Sequence, residues 1–402
     1  MKFVLVLVLM LAGLSLSAQH IVEWRFDRTG IFSKETGLMQ SWPENGPQKL
    51  WYFQGLGNGH SSVAIAESRV FVTGEHDDIG YLFVFDLNGN LLHRIQYSEE
   101  WVNSYPGTRS TVVPYDGRLY IVSGMTDLIA FDIATMQELW RRNYIEDFGS
   151  TNIRHGWVGS PLIVGDKLII APGGVENNVM ALNRITGDVI WTSAGVEGGR
   201  GAFNAPIFLA DQEVPQVVLK MTNNVMGIDI SNGEVLWSHP HAGRSTQHSN
   251  TLIYHDNMLL SITSAGTGAQ MLRLTNGGRS VEQAWTNDRI LNRHGHAIQF
   301  GDYVLASSER PGVWFLMNWR SGEVLFTDNT LGTGAIIKAD GMFYIYTERG
   351  EMVLVRPNME RLDIVSRFPV PMGTAQHWAH PIIYNGVLFV RHGNALLAYQ
   401  VR

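Results

Sequence analysis

Residues Trp157 to Trp191, WVGSPLIVGDKLIIAPGGVENNVMALNRITGDVIW, contain the pattern that decides the fold. An apolar run ends at Gly165-Asp166, a dipeptide typical of a tight hairpin, and an Ile-rich return strand follows it. A third apolar run precedes the turn Thr186-Gly187-Asp188, and a fourth begins directly after that turn. The stretch therefore predicts four short strands in a row.

Both turns of this unit recur along the chain. The Gly-x-x-x-Trp pattern that ends at Trp191 returns at Asn232 to Trp237, with weaker copies at Thr135 to Trp140 and Ser321 to Phe326. The hairpin dipeptide has counterparts at Tyr115 to Arg118, His255 to Asn257, Phe300 to Asp302, Ala339 to Gly341 and Tyr384 to Gly386. Because one such sheet cannot bury both of its faces, the repeated units are expected to stack on one another.

The number of units and the chain ends predict a closed ring. From Trp51 to Arg402 there is room for eight units of about 44 residues, the spacing of four-stranded propeller blades. The last unit has only three strands, while Lys49 to Phe53 has no partner nearby in the sequence. We therefore predict an all-β, eight-bladed β-propeller of four-stranded antiparallel blades, closed by pairing this N-terminal strand with the last blade. The predicted blades lie at about 60–95, 107–142, 157–193, 202–239, 248–287, 294–328, 333–368 and 378–402 plus 49–53.

Composition is consistent with one propeller domain, residues 49–402, and excludes some partners. No Pro/Ser-rich linker or charge run divides the 402 residues. Charged residues make up 17% of the chain, the formal net charge is −7, and no basic cluster is present, so nucleic acid is not an expected partner. The chain has no cysteine, which excludes disulfides.

The first 18 residues have the features of a signal peptide. Lys2 is followed by the apolar run Phe3 to Leu14 and by the small residues Ser15, Ser17 and Ala18. This run is too short for a membrane span, and no cysteine follows it for lipid attachment. We expect an exported, monomeric protein of the periplasm or extracellular space, with no membrane span or lipid anchor.

Residues 19–48 form the predicted lead-in to the propeller. Its periodicity is weak, and Trp24, Phe26 and Trp42 are expected to pin it to the side of the main body. The sequence Lys34 to Gly37 is predicted to be an exposed turn.

The repeat resembles that of the pyrroloquinoline-quinone-type propeller family. The family's unit ends in Ala-Leu-Asp-x-x-Thr-Gly-x-x-x-Trp, and Ala181 to Trp191 matches it with one Asp-to-Asn change. Ala130-Phe131-Asp132 and Gly227-Ile228-Asp229 match its first part, and the lead-in is similar to that of exported bacterial members. The family includes quinoprotein dehydrogenases as well as non-catalytic propellers such as the barrel-assembly lipoprotein, so the resemblance implies a fold rather than one function.

The repeated residues themselves are assigned to structure. Trp140, Trp191, Trp237 and Trp285 are predicted to wedge between adjacent blades and to bury a large apolar area. The glycine in each turn permits a positive φ.

Function is more readily sought where the repeats differ, in the residues just ahead of each innermost strand. These segments should ring one mouth of the central channel, and they contain seven of the 14 histidines. The candidate ligand-binding residues are His60, Arg109, His155, Trp157, Arg200, Asn204, His248, Arg293, His294, His296, His377, Trp378 and His380. Imidazole, guanidinium and aromatic groups together suit an anionic, planar or sugar-like ligand. Alternatively, these polar groups form hydrogen bonds with one another and with water in the channel. No recognised metal-ligand spacing is present, so no metal site is predicted.

Two functional hypotheses remain. In the dehydrogenases that the resemblance implies, calcium and acidic residues hold the quinone, and many carry an adjacent-cysteine disulfide. This chain has no cysteine, and the predicted mouth offers His and Arg rather than Asp and Glu. We therefore expect a non-catalytic binding or scaffold propeller of the bacterial cell envelope, with a small-molecule, sugar-like or protein partner and no required cofactor. The alternative is a quinoprotein-like oxidoreductase, an alcohol or sugar dehydrogenase using pyrroloquinoline quinone with calcium. No catalytic residue can be assigned.

Overall fold

Short apolar runs separated by tight turns form eight four-stranded antiparallel sheets, the blades of a β-propeller. The computed structural model describes residues 24–151, 154–196, 200–243, 248–309 and 312–402. The predicted all-β, eight-bladed architecture is confirmed. The predicted signal peptide lies outside the described residues, as do residues 19–23 of the lead-in. No helix in the described ranges is both long enough and apolar enough to cross a membrane.

Within blades 1 to 7 the strands follow one another in chain order from the channel outward. The strands of blades 1 to 4 are Ala64–Ala66, Arg69–His76, Ile79–Asp86 and Leu91–Glu99; Val113–Tyr115, Arg118–Val122, Asp127–Asp132 and Glu138–Asn143; Leu162–Val164, Lys167–Ile170, Val179–Asn183 and Val189–Ser193; and Ile207–Leu209, Gln216–Lys220, Asn224–Asp229 and Val235–Pro240.

Blades 5 to 7 repeat this arrangement, and blade 8 takes its outer strand from the N-terminal side of the chain. Their strands are Ile253–His255, Met258–Ile262, Ala269–Thr275 and Ser280–Asn287; Ala297–Phe300, Tyr303–Ser308, Val313–Asn318 and Val324–Asp328; Gly334–Ala339, Met342–Thr347, Glu351–Arg356 and Asp363–Pro369; and Ile382–Tyr384, Val387–His392, Ala395–Gln400 and Lys49–Gln54. A short 3₁₀ turn, Asn276–Gly278, connects the last two strands of blade 5.

The predicted ring closure is confirmed. Lys49–Gln54 pairs antiparallel with Ala395–Gln400, and Tyr52 lies opposite Leu397. The indole nitrogen of Trp51, in the closing strand, donates a 3.0 Å hydrogen bond to the carbonyl of Leu87 in blade 1. The first and last parts of the chain therefore join blade 8 and attach it to blade 1.

The predicted tryptophan wedges are also confirmed. The indole nitrogen of Trp191 donates to the carbonyl of Ile230 in the next blade at 2.9 Å. Its ring packs against Gly233, whose φ of 82° is the left-handed conformation that the turn requires. Trp140 and Trp285 make the equivalent bond to the following blade, whereas Trp237 bonds to Gln216 in its own blade. The apolar core consists of such clusters between neighbouring blades.

The lead-in takes a different course from the predicted one. Trp42 packs on blade 7 beside Phe368, as expected for the side of the propeller. Ile31–Phe32, however, adds a parallel fifth strand to the innermost strand of blade 7, and the preceding helical turn, Phe26–Gly30, lies with it. Trp24 therefore reaches the central channel instead of the outer side.

The predicted exposed turn at Lys34 to Gly37 requires one correction. Glu35 is buried, and its carboxylate accepts hydrogen bonds from the backbone amides of Asn385 and Gly386 at 2.6 and 2.9 Å. Arg402 adds a third bond at 3.1 Å. The carboxylate ties the lead-in to blade 8 because it accepts from both backbone amides of this hairpin turn.

Candidate functional site

A cavity of about 120 Å³ lies at one end of the central channel. Innermost strands start at this end, so the residues ahead of them come from blades 1 to 6 and blade 8. Eight of the thirteen candidate residues lie on its wall: His60, Arg109, His155, Arg293, His294, His296, Trp378 and His380. Trp24, Tyr105 and Phe203 complete the aromatic part of the wall.

The other five candidates lie elsewhere. Trp157 and Asn204 line a smaller neighbouring cavity of about 20 Å³, the size of one water molecule. His248 is fully buried, and Arg200 is exposed. His377 is turned away from the cavity and stacks on another histidine. The segments ahead of the strands are irregular, so neighbouring positions in one segment point in different directions.

The surroundings of His377 and Asn204 show what these two residues do instead. His377 accepts or donates a 2.6 Å hydrogen bond with the hydroxyl of Tyr346, and its ring lies 3.7 Å from that of His392. The amide of Asn204 donates to the carbonyls of Lys220 and His248 at 2.5 and 3.3 Å. Asn204 therefore joins two backbone segments around the channel, whereas His377 packs against side chains of blades 7 and 8.

Two residues of the lead-in lie at the cavity: Trp24 is on its wall, and Arg25 is buried against His380 behind the wall. Arg25 is 1% exposed, and its guanidinium donates to the carbonyls of Ile336 and Ala297 at 3.0 and 3.2 Å. It also lies 3.0 Å from Nδ1 of His380, whose Nε2 is 2.8 Å from the carbonyl of His294. Because Arg25 can only donate, Nδ1 of His380 must accept and Nε2 must carry the proton. Burial, and then the charge of Arg25, hold the pKa of His380 well below its ordinary value.

Trp378 is the centre of an aromatic cluster on the wall. His294 stacks on it with ring centroids 4.4 Å apart, and His60 and Tyr105 lie 5.0 and 5.1 Å from it. Burial, then Arg109 and Arg391, hold the pKa of His60 well below its ordinary value, so this imidazole is neutral at pH 7. The cluster offers apolar faces with polar edges, which is the surface that binds a flat, polar ring.

Arg109 holds a loop over the cavity. Its guanidinium donates to the carbonyls of Gly107, Ser104 and Tyr105 at 2.8, 2.9 and 2.5 Å. Ser104 is also 2.6 Å from Nδ1 of His155. The side chain of Tyr105 at the tip of this loop faces the cavity. Arg109 therefore positions the loop as well as contributing positive charge.

Two carboxylates near the mouth were missed by the sequence reasoning. Glu309 and Glu348 each follow the second strand of a blade, and His294 Nδ1 lies 3.7 Å from Glu309 and 3.6 Å from Glu348. The second strand runs antiparallel to the first, so its end lies beside the start of the innermost strand. The entry segments offer His and Arg as expected, but these two carboxylates, which were not predicted, lie close to His294 at the mouth. The ends of the second strands were the signal that could have found them.

These carboxylates form an ion network with Arg293. Its guanidinium lies 2.8 Å from Glu309, and its backbone amide donates to the same carboxylate at 2.8 Å. The donor atoms of His294, Glu309 and Glu348 lie within 4.8 Å of one another. Calcium prefers six to eight oxygen ligands, whereas this group offers one nitrogen and two carboxylates, one of which is already paired with a guanidinium. The donor set does not suit the calcium of quinone enzymes, and the absence of a metal stays a prediction.

The volume of the cavity can be compared with the size of the quinone. A cavity of about 150 Å³ accommodates a molecule of the size of benzene, so about 120 Å³ encloses a single small ring. A three-ring quinone is larger than this space, so part of it would lie outside the cavity if it bound here.

Comparison with known sequences gives two kinds of relative. The family model described as outer membrane protein assembly factor BamB matches residues 35–202 and 150–361. A quinoprotein ethanol dehydrogenase from Pseudomonas aeruginosa is 26% identical over 161 residues, which is 36% of this chain. That match spans only 26% of the length of the dehydrogenase.

Solved structures of both kinds share the fold. BamB from Moraxella catarrhalis superposes with a TM-score of 0.65 at 15% identity, covering 88% of this chain and 99% of its own. The quinohemoprotein alcohol dehydrogenase from Comamonas testosteroni gives a TM-score of 0.67 at 12% identity, covering 94% and 80%. At these identities the likeness concerns the fold alone, and the relatives include both enzymes and a protein named for assembly. Because the family model matches more than half of the residues, this chain belongs to the PQQ-like propeller family described as outer membrane protein assembly factor BamB.

Proposed function

We propose that this protein is an exported, non-catalytic propeller of the bacterial cell envelope that binds a small, flat anion at the channel mouth. The observation that carries the proposal is the lining of the cavity, which combines aromatic rings with guanidinium groups. Trp24, Phe203 and Trp378 lie on its wall together with Arg109 and Arg293.

The charge and size of the pocket support an anion with one ring. Arg109 and Arg293 lie on its wall, and Arg25 is buried against His380 of the wall, while Glu309 is paired with Arg293. An aromatic or sugar-like ring fits the apolar faces of Trp378 and Phe203, and a carboxylate suits the guanidinium groups. Benzoate combines these features in the smallest form and is the probe we choose.

Benzoate is expected to bind wild-type protein and to bind Trp378→Ala about tenfold more weakly, because that variant loses the ring at the centre of the aromatic cluster. Isothermal titration calorimetry at fixed ionic strength measures both affinities. His93→Ala is the matched control, since His93 is exposed on the outer strand of blade 1. Equal affinities for wild type and Trp378→Ala would place the ligand elsewhere, and no benzoate binding at all would exclude this ligand class.

Export is proposed on the signal-like sequence of residues 1–18. Protein recovered from the envelope fraction of a bacterial host is expected to begin between Ala18 and His20 and to carry no lipid, because no cysteine is available for attachment. Mass spectrometry of the intact protein measures the N-terminus. A native protein that keeps Met1 would contradict export by cleavage.

The alternative is a quinoprotein-like oxidoreductase, which the partial match to the ethanol dehydrogenase favours. Its test is the visible spectrum and dye-reducing activity of protein mixed with pyrroloquinoline quinone and calcium, with ethanol or glucose as substrate. We expect no turnover, because the mouth lacks a calcium-type donor set and the cavity encloses only one ring. Calcium-dependent dye reduction would favour the enzyme hypothesis.

A further inference from the structure

A group of buried polar atoms lies at His60 and directly behind it, at the edge of the cavity just described. Within the described ranges, both ring nitrogens of His60, Oγ1 of Thr108 and Nη2 of Arg391 have no hydrogen-bond partner. Thr108 and Arg391 are 1% and 2% exposed. Buried polar groups in native proteins are nearly always paired, so several unpaired atoms in one place indicate something that binds there.

The backbone of Gly59 brings these atoms together. A Cβ on Gly59 would lie 2.0 Å from Nη2 of Arg391 and 2.6 Å from Oγ1 of Thr108, so both atoms pack against Gly59 and lie close to each other. The backbone amide of His60 donates to the carbonyl of Thr108 at 2.7 Å, which joins the backbone of His60 to that of Thr108. We call Gly59, His60, Thr108 and Arg391 the anion niche.

The charge of the niche is positive and unbalanced. The remaining guanidinium nitrogens of Arg391 bind the carbonyl of Gly393 at 3.0 Å and Ser61, and no carboxylate pairs with them among the residues that the structure describes. Burial lowers the pKa of Arg391 to about 9, which leaves it charged at pH 7. A buried charge without a partner is costly, and an anion would offset that cost.

We propose that the anion niche binds a small monovalent anion through Nη2 of Arg391, the hydroxyl of Thr108 and an N–H of His60. The anion is either a free ion, such as chloride or formate, or the carboxylate of a ligand whose ring lies in the cavity. The second source rests on the proposed function above. His60 connects the two sites, because its ring lies on the cavity wall, 5.0 Å from Trp378.

The line width of the ³⁵Cl resonance in solutions of the purified protein measures the exchange of bound chloride. Wild-type protein is expected to broaden the line, and formate is expected to reverse the broadening. Thr108→Val keeps the side-chain shape but removes one donor, so we expect about tenfold weaker chloride binding. Thr192→Val, at an exposed position in the outer strand of blade 3, is the matched control and should behave as wild type.

Different outcomes separate this proposal from the proposed function. Displacement of chloride by benzoate supports the niche and assigns it to the ligand's carboxylate. If benzoate binds without displacing chloride, the niche holds a free ion. If chloride binds but benzoate does not, the niche also holds a free ion, and the ligand class of the proposed function is excluded. Equal broadening by wild type and Thr108→Val, or none by wild type, would overturn the niche and leave water as the partner of these atoms. Thermal unfolding of Thr108→Val confirms that the variant is folded.

Discussion

Replacing Trp191 by alanine is expected to lower the free energy of unfolding by about 3–5 kcal/mol, the usual cost of emptying a buried aromatic site. The indole is 7% exposed and packs with Val217, Leu219 and Met226 of the next blade. Its hydrogen bond to Ile230 is lost as well, which leaves that carbonyl without its partner. Urea unfolding followed by circular dichroism measures the change.

Two further variants test whether packing between blades is the cause. Trp191→Phe keeps a large ring, so its free energy of unfolding should fall less than that of the alanine variant. Trp140 occupies the equivalent position one blade earlier but is only half-buried, so Trp140→Ala should also cost less than Trp191→Ala. If Trp140→Ala and Trp191→Ala lower the free energy of unfolding equally, burial between the blades does not determine the loss of stability.

The repeat explains why the fold could be predicted from the sequence. The turn at Thr186-Gly187 and the wedge at Trp191 fix local structure by backbone conformation and by apolar area, and both recur at a constant spacing. The unpaired strand at Lys49 could then be assigned, because a propeller leaves one place for it. Even Met136, which stands where the repeat has glycine, adopts a φ of 57°, so the turn is kept with a strained residue.

The site was only partly predictable because it depends on residues outside the repeat. Trp24 has no periodic neighbours, and nothing in the sequence indicates that it reaches the channel. Glu309 and Glu348 follow second strands, where antiparallel pairing brings them to the mouth. Whether a residue such as His377 faces the cavity or its own blade depends on the direction of its side chain. In irregular segments this direction does not alternate regularly along the sequence, so it could not be predicted.

A buried carboxyl group near the mouth gives the second prediction of large effect. Glu100 is 3% exposed, accepts hydrogen bonds from the Tyr97 hydroxyl and from the amide of Gly124 at 2.8 Å, and burial raises its pKa to about 7. The ordinary pKa, near 4.5, applies in the unfolded chain. The contribution of Glu100 to stability is therefore complete below about pH 4.5 and is lost as the pH rises through about 7.

Glu100→Gln is expected to abolish this loss of stability with rising pH, because the glutamine amide cannot ionise. Between pH 4.5 and 7 the wild-type free energy of unfolding should fall by about 1.4 kcal/mol per pH unit relative to the variant, about 3 kcal/mol in all. The glutamine oxygen can still accept from Gly124, and its amide can donate to the oxygen of Tyr97. Urea unfolding of both proteins from pH 4.5 to 8.5 measures the difference.

The pH dependence of wild-type stability must be compared with that of the variant, because buried histidines change stability with pH in the opposite direction. Burial lowers the pKa of His296 and His380, so their contribution is present above about pH 6.5 and is lost as the pH falls. Both proteins contain these histidines, and the difference between their profiles isolates Glu100. Glu99→Gln, at the exposed neighbouring position, should leave the wild-type profile unchanged. Parallel profiles for wild type and Glu100→Gln would show that the folded protein does not hold this proton near neutral pH.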